Sequence, residues 1–381
     1  MKTKQTINMD IAIVTSAKIA DIGAGDWMQA INTAKALINL GHKVTQYLLG
    51  KHDVKTHNSG LVCIENVCDL PEYHDVIHFI PAPVIKPSII GIIRNRKHRQ
   101  LLVASTIFWN SLTHRLICSS DKSMVLTRLK YYSQLLMPIL SRTYRRFENY
   151  DLLLPNSFIE IDNVKKYFNV PPTTIFGKVP NGINKIPEWA SSCVIPDGLV
   201  ANEYILYPGV FSPRKNQLGF IRAMGTSGLT VVFMGGATSG QGSKEYYDQC
   251  RREAGRSFVF VGQVDNGSEK FYGILRGARI ACLASSCETP GIALIEAASM
   301  GARPVMTKEG SGIEYFGFDA EYFDPMKADE ILKSVRTAWF RGRLLSSEID
   351  KYRQFTWERT ARLTYYYYVK VINELSLHEE V

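Results

Sequence analysis

The 381-residue sequence has no run of eighteen or more apolar residues, and its mean hydropathy is −0.08. A membrane-spanning helix is not expected from such a pattern. The opening stretch, M-K-T-K-Q-T-I-N-M-D-I-A-I-V, has no secretory h-region; its short apolar part reads as a strand, so a cytoplasmic location is expected. The seven cysteines include no C-x-x-C pair and no Cys/His cluster at zinc spacing. They read as reduced thiols rather than a disulfide frame. No D-x-D stands at a strand end, and neither an internal repeat nor a low-complexity tract is present. No metal site is expected.

Acidic residues are scarce in one place. Residues 1–185 hold 23 Lys and Arg against 13 Asp and Glu, and the remaining residues are close to balanced. Between Arg94 and Arg146 there are eleven basic residues and one acid, Asp121. Such a stretch is most often a solvated face; it also suits an anionic membrane surface or a phosphorylated acceptor. It lacks a nucleic-acid recognition motif, and no nucleic-acid partner is expected.

What is present is an alternation of strand and helix. Asp10–Thr15 reads as a β-branched strand, Gly23-Ala-Gly25-Asp-Trp27 as a loop, Met28–Leu40 as an amphipathic helix closed by Gly41, and Lys43–Leu49 as a second strand. This is a βαβ unit of a parallel sheet. Further strands are expected at 76–80, 101–105 and 151–155, with helix across 120–148 interrupted at Pro138. A Pro-, Ser- and Gly-rich segment follows. A second series then begins, with strands at 204–209, 229–234, 258–261 and 281–284. The expected organisation is an α/β fold of two Rossmann-like doubly wound domains facing across a cleft: 1–185, a linker at 186–203, 204–355, and a helix at 356–381 crossing back to the first domain. His42 and His78 read as structural.

Three places can carry chemistry. Glu288-Thr289-Pro290-Gly291 is a loop after a strand, with a helix starting near Gly291. The amides of Gly291, Ile292 and Ala293 are free donors at its N-terminus, a diphosphate site. Glu296 lies about 7.5 Å along the axis, at ribose distance. Gly209-Val-Phe-Ser-Pro-Arg-Lys-Asn216 repeats the strand-to-helix pattern. There Arg214 and Lys215 can neutralise a departing phosphate. Gly23 and Gly25 form a third loop, whose amides can meet sugar or phosphate; Asp26 is a candidate for orienting an acceptor hydroxyl.

The run Glu288-Thr-Pro-Gly-Ile-Ala-Leu-Ile-Glu296 resembles the E-x7-E motif of retaining glycosyltransferases of family four, which have the glycosyltransferase-B fold. V-P-N-G-I-N, F-S-P-R-K-N-Q, F-V-G-Q-V-D and the closing T-W-E-R-T-A-R agree in order. The resemblance implies that Lys215 binds donor phosphate, Glu296 the ribose, and Glu288 the transferred sugar, while the loop of Gly262 and Val264 holds the base. It implies a GDP- or UDP-linked sugar donor, no further cofactor, and a glycan or lipid-linked acceptor met in surface polysaccharide synthesis, with peripheral contact at the inner face of the membrane. A nucleotide-sugar 2-epimerase, a phosphorylase or an inactive nucleotide-binding module are the alternatives on the same fold. Two positions depart from the family pattern. Gly209-Val210 stands where the family has Gly-Arg, and Phe108-Trp109 where its first domain often has a histidine.

Overall fold

The computed structural model describes residues 8–16, 25–50, 60–81, 83, 87–94, 99–109, 112–118, 126, 146–238 and 242–379. The chain divides into two compact units. One comprises Met1–Phe108, Leu135–Gly182 and Trp357–Val381, the other Trp109–Gln134 and Ile183–Thr356.

The first unit is built on seven parallel strands: β1 Asp10–Ser16, β2 Lys43–Leu49, β3 Leu61–Ile64, β4 Val76–Phe79, β5 Leu101–Ala104, β6 Leu152–Leu153 and β7 Ile175–Phe176. Their order is β3-β2-β1-β4-β5-β6-β7. Ile11 pairs with Val44 on one side and Val76 on the other. The central strands are buried along nearly their whole length, as a parallel sheet covered on both faces demands. The helix expected from Met28 begins three residues earlier and spans Gly25–Asn39. Gly25, Asp26 and Trp27 therefore form its first turn rather than a loop, and Asp26 complements the positive end of the helix dipole. Gly41, at φ +94°, closes it. The Gly41 and His42 amides bond back to the carbonyls of Ile38 and Leu37, so both ends of this stop are satisfied.

The C-terminal helix Trp357–Glu379 packs in this unit against the Gly25–Asn39 helix. Its four consecutive tyrosines divide by direction. Tyr365 packs on His42 with tilted rings, centroids 4.5 Å apart, Tyr366 is exposed, Tyr367 covers Gly177, and Tyr368 is buried. The Tyr368 hydroxyl meets His78 Nδ1 at 2.7 Å, and Nε2 of the same ring meets the Ser105 hydroxyl at 3.0 Å. Burial pushes the His78 pKa down to about 3, so the ring stays neutral.

The second unit carries β8 Tyr204–Pro208, β9 Thr230–Met234, β10 Phe258–Gly262, β11 Ile280–Leu283, β12 Arg303–Thr307 and β13 Glu321–Phe323, in the order β10-β9-β8-β11-β12-β13. Its core is rich in aromatics, with Tyr207, Phe211, Phe220 and Phe233 all buried. The segment 186–203 is held on this unit. Trp189 lies edge-on to Tyr272 at 5.3 Å, and Arg276 donates to the Cys193 carbonyl at 2.9 Å. Strands β3, β7, β12 and β13 carry no clear strand pattern of their own: β3 and β7 lie at opposite edges of the first sheet, β13 at an edge of the second, and β12 opens with Arg303 and Pro304. The helix expected over 120–148, and with it most of the basic stretch, lies outside the described residues apart from helical Leu126 and a turn at 146–149.

In each sheet the chain runs outward over three strands and then returns to the other side of the first. The reversals fall between β1 and β4 and between β8 and β11. In open α/β sheets such switch points leave a crevice beyond the carboxyl ends of the strands.

Candidate functional site

Beyond the carboxyl end of β8 the chain turns through Gly209, at φ +126°. A side chain at Gly235 would collide with the Gly209 carbonyl, so that position admits the close backbone approach only as glycine, while Gly209 needs glycine for its own φ. A short 3-10 turn, Pro213–Lys215, follows, capped by the Ser212 hydroxyl. Asn216, in the left-handed region at φ 54°, redirects the chain into the helix Gln217–Met224. Beyond the neighbouring β11, the loop 284–291 leads into the helix Ile292–Ser299, with Gly291 as its N-cap at φ 90°.

Because β8 and β11 are adjacent, the two loops touch. The Lys215 ammonium lies 2.6 Å from Glu288 Oε1. The Ser285 hydroxyl donates to the same oxygen at 2.5 Å. The Ser286 amide donates to the Arg214 carbonyl at 2.8 Å, and Arg214 Nη1 to the Cys287 carbonyl at 3.4 Å. Beneath both loops stands Tyr207 on β8. Its hydroxyl donates to the Lys215 carbonyl and accepts from the Ala284 amide at 2.9 Å, fastening one loop to the other. From the far side Gly310 lies against Glu288. The Glu288 amide donates to the Glu309 carbonyl at 3.1 Å and the Ser311 amide to the Glu288 carbonyl at 3.0 Å, and a Cβ on Gly310 would overlap the Glu288 backbone. A helix from earlier in the chain, Leu112–Cys118, packs on the Pro213–Lys215 turn, with Thr113 reaching Glu309 at 3.4 Å.

Burial alone would raise the Glu288 carboxyl. The charges of Lys215 and Arg214 and the hydrogen bonds from Lys215 and Ser285 outweigh it and hold the group below the usual carboxylate value, so it is ionised. Burial lowers Lys215, opposed by Glu288 and aided by Arg214. Glu296, one and a half turns into the helix, has the opposite balance. Desolvation pushes its carboxyl up to about 7, with one Asn266 amide hydrogen bond at 3.0 Å working against the shift. Asn266 in turn accepts from Asn184 at 3.4 Å, which ties the N-G-I-N segment to this end of the unit.

The remaining expected positions are distributed as follows. Thr289 is half-buried and Pro290 buried, both in the loop before the helix; Ile292 and Ala293 form its half-buried first turn. Gly262 ends β10 at φ +74°, and its carbonyl accepts from Gly235 at 2.8 Å; Val264 packs against the core of the unit. Gly25 is exposed at a helix start in the first unit, and Gly23 lies outside the described residues. Of the family departures, Val210 is exposed, while Phe108 packs on Phe168 at 4.5 Å. Ser285, Tyr207, Asn266, Gly235 and Gly310 also belong to this site and stand in no motif of their own. Only the two glycines carried a local signal, and it was not distinguishable from other turns. Among the described residues no three His, Cys, Asp or Glu side chains cluster at metal-binding distance, and no helix is long and apolar enough to cross a membrane.

Residues 199–339 match the family model described as glycosyl transferases group 1. No curated protein sequence gives a significant match. Among solved structures, a sucrose-phosphate synthase from Thermosynechococcus elongatus is 16% identical, with 95% of this chain and 99% of that chain covered and a TM-score of 0.67. Anabaena Alr3699/HepE in complex with UDP and glucose is 14% identical, with 98% and 100% covered and a TM-score of 0.59. The catalytic domain of starch synthase IV from Arabidopsis thaliana, bound to ADP and acarbose, is 10% identical, with 96% and 100% covered and a TM-score of 0.61. The fold is thus the glycosyltransferase-B type, two Rossmann-like α/β domains in one chain.

Proposed function

We propose that the chain is a retaining glycosyltransferase that moves a hexose-type sugar from a UDP- or GDP-linked donor to a hydroxyl of a glycan or lipid-linked acceptor, without a metal ion, in surface polysaccharide synthesis. The observation that carries this reading is the meeting of Lys215 and Glu288, 2.6 Å apart, beside the N-terminus of the Ile292–Ser299 helix at a switch point of the second sheet. The match of residues 199–339 to the glycosyl transferases group 1 model supports it, as does the complex of the HepE relative with UDP and glucose.

In this reading the donor diphosphate lies against the amides of Gly291, Ile292 and Ala293, whose helix dipole favours negative charge. Lys215, with Arg214 beside it, stabilises the charge that develops as the bond from the anomeric carbon to the phosphate oxygen breaks. Glu288, held ionised by those cations, accepts hydrogen bonds from the sugar hydroxyls and faces the positive anomeric centre. The acceptor oxygen bonds to that carbon on the side the phosphate leaves, and its proton passes to the leaving phosphate oxygen. Configuration is retained and no side-chain base is required. Glu296 accepts from the ribose hydroxyls, and the loop of Gly262 and Val264 meets the base. The basic excess of the first half fits contact with an anionic inner leaflet from the cytoplasmic side.

The test is turnover and calorimetric binding of UDP-glucose and GDP-mannose by the full chain and by Lys215→Ala and Glu296→Ala. Loss of donor binding in both variants is expected. Unchanged binding and turnover in both would refute the assignment. Epimerised donor formed without acceptor would refute transfer. Activity abolished by EDTA would refute the metal-independent part.

A further inference from the structure

A cavity of about 250 Å³ opens beyond the carboxyl ends of β1, β2 and β4, at the switch point of the first sheet. Its floor carries the Thr15 and Ser16 end of β1; Leu49 and Phe79 form apolar walls. Pro81 and Pro83 stand on another side, and Arg146 also lines the cavity among the described residues. Pockets for drug-sized ligands are ~300–1,000 Å³, so this one suits a single sugar ring. The wall around Arg146 is fixed: Tyr150, in the same turn, packs edge-on against Phe79 at 5.9 Å and donates to the Pro83 carbonyl at 3.3 Å.

A guanidinium stays protonated and offers a planar fork that matches phosphate and carboxylate. Burial works against the Arg146 charge, opposed by Tyr150 and the Asp26 carboxylate. A guanidinium in the lining favours an anionic group on the ligand over a neutral one. Apolar proline, leucine and phenylalanine surfaces suit the C–H faces of a pyranose, and the strand-end hydroxyls suit its polar rim.

We propose that this cavity is a subsite for a sugar bearing an anionic group, phosphate or carboxylate, with Arg146 as the group that selects it. Its assignment to the acceptor rests on the transferase reading above; its chemistry does not.

Isothermal titration of the full chain with glucose 6-phosphate, glucuronate, glucose and inorganic phosphate tests it. One of the two charged sugars is expected to bind at least roughly tenfold more tightly than glucose, the worth of a charge-assisted hydrogen bond. Arg146→Gln should remove that preference, and Ser16→Phe, which fills the cavity, should weaken all three sugars; UDP binding should be unchanged in both. Glucose binding as tightly as both charged sugars, phosphate binding as tightly as glucose 6-phosphate, or a preference that survives Arg146→Gln in a folded variant would overturn the proposal. So would loss of UDP binding in these variants, which would place the cavity with the donor. If either variant fails to fold by its melting curve, the wild-type preference decides alone. Wild-type binding of charged sugar without nucleotide binding would refute the transferase reading and leave the subsite standing.

Discussion

Lys215→Met removes the ammonium from a carboxylate that is 5% exposed. In the intact chain Glu288 Oε1 accepts from Lys215 at 2.6 Å and from Ser285 at 2.5 Å. After the substitution Ser285 and the more distant Arg214 charge remain. Breaking a buried pair by removing one partner costs about 3–5 kcal/mol, because the other charge stays desolvated. For a unit of this size, at ~2–4 °C per kcal/mol, the melting temperature should fall by about 6–20 °C. Without Lys215, burial raises the folded-state Glu288 pKa above its unfolded value. The penalty is then fully present at pH 8 and shrinks as pH falls and the carboxyl takes a proton. Lys215→Met/Glu288→Gln removes both charges and should regain most of the loss, a non-additivity that a double-mutant cycle reads directly. Both variants should bind UDP-hexose about 10–100-fold more weakly, since each lacks the charge-assisted bond to phosphate. Thermal melts at pH 5.5 and 8, with calorimetry at pH 8, supply every term. A single variant melting within about 2 °C of the parent, or a double variant less stable than the single, would refute the picture of a desolvated ion pair.

Glu296 gives a pH dependence of opposite origin. Its folded-state carboxyl keeps its proton up to about pH 7, against an ordinary value of 4.5, so the folded state binds more protons between the two. Stability should fall as pH rises through that window, and Glu296→Gln should flatten this part of the curve; a profile identical to the parent would contradict the shift. Tyr207→Phe leaves the fully buried Ala284 amide without its partner and unfastens the two loops, so a loss of about 1–3 kcal/mol in urea unfolding is expected, with weaker UDP binding. Glu160 is fully buried and holds the loop after β5: it accepts from the Thr106 hydroxyl at 2.5 Å and the amides of Phe108 and Asn156 at 2.8 and 2.9 Å. That loop carries Ile107 at φ 42°, a costly conformation for a β-branched residue. Glu160→Ala should therefore cost at least about 3 kcal/mol, measured by urea unfolding, and UDP binding should persist in the folded variant.

Some of this was legible from residue order alone. The run Ile11–Val14 and the stop at Gly41 announce a buried strand and the end of an amphipathic helix, because both patterns act over a few residues. The helix start at Gly25 is not legible in residue order, since glycine and aspartate suit a loop as well as a first turn. Glu288, Lys215 and Gly291 stood out as spaced chemical types on strand-to-helix turns. Nothing in that spacing said that Tyr207 would fasten the two turns, or that Asn266 would meet Glu296, thirty positions away. Gly310 was one glycine among many until Glu288 lay against it.

Residue order alone sets the alternation of strand and helix, the glycines that allow sharp turns, and the kinds of charge at the strand ends. These follow from local sterics, side-chain period and backbone hydrogen bonding. The order of strands across each sheet emerges only in the folded chain. It depends on which helix faces cover which strands, a condition on the whole core. That order puts β11 beside β8 and β4 beside β1. It is why an ammonium and a carboxylate 73 residues apart in the chain share one proton-donating contact, and why Arg146 reaches a cavity floored by Ser16.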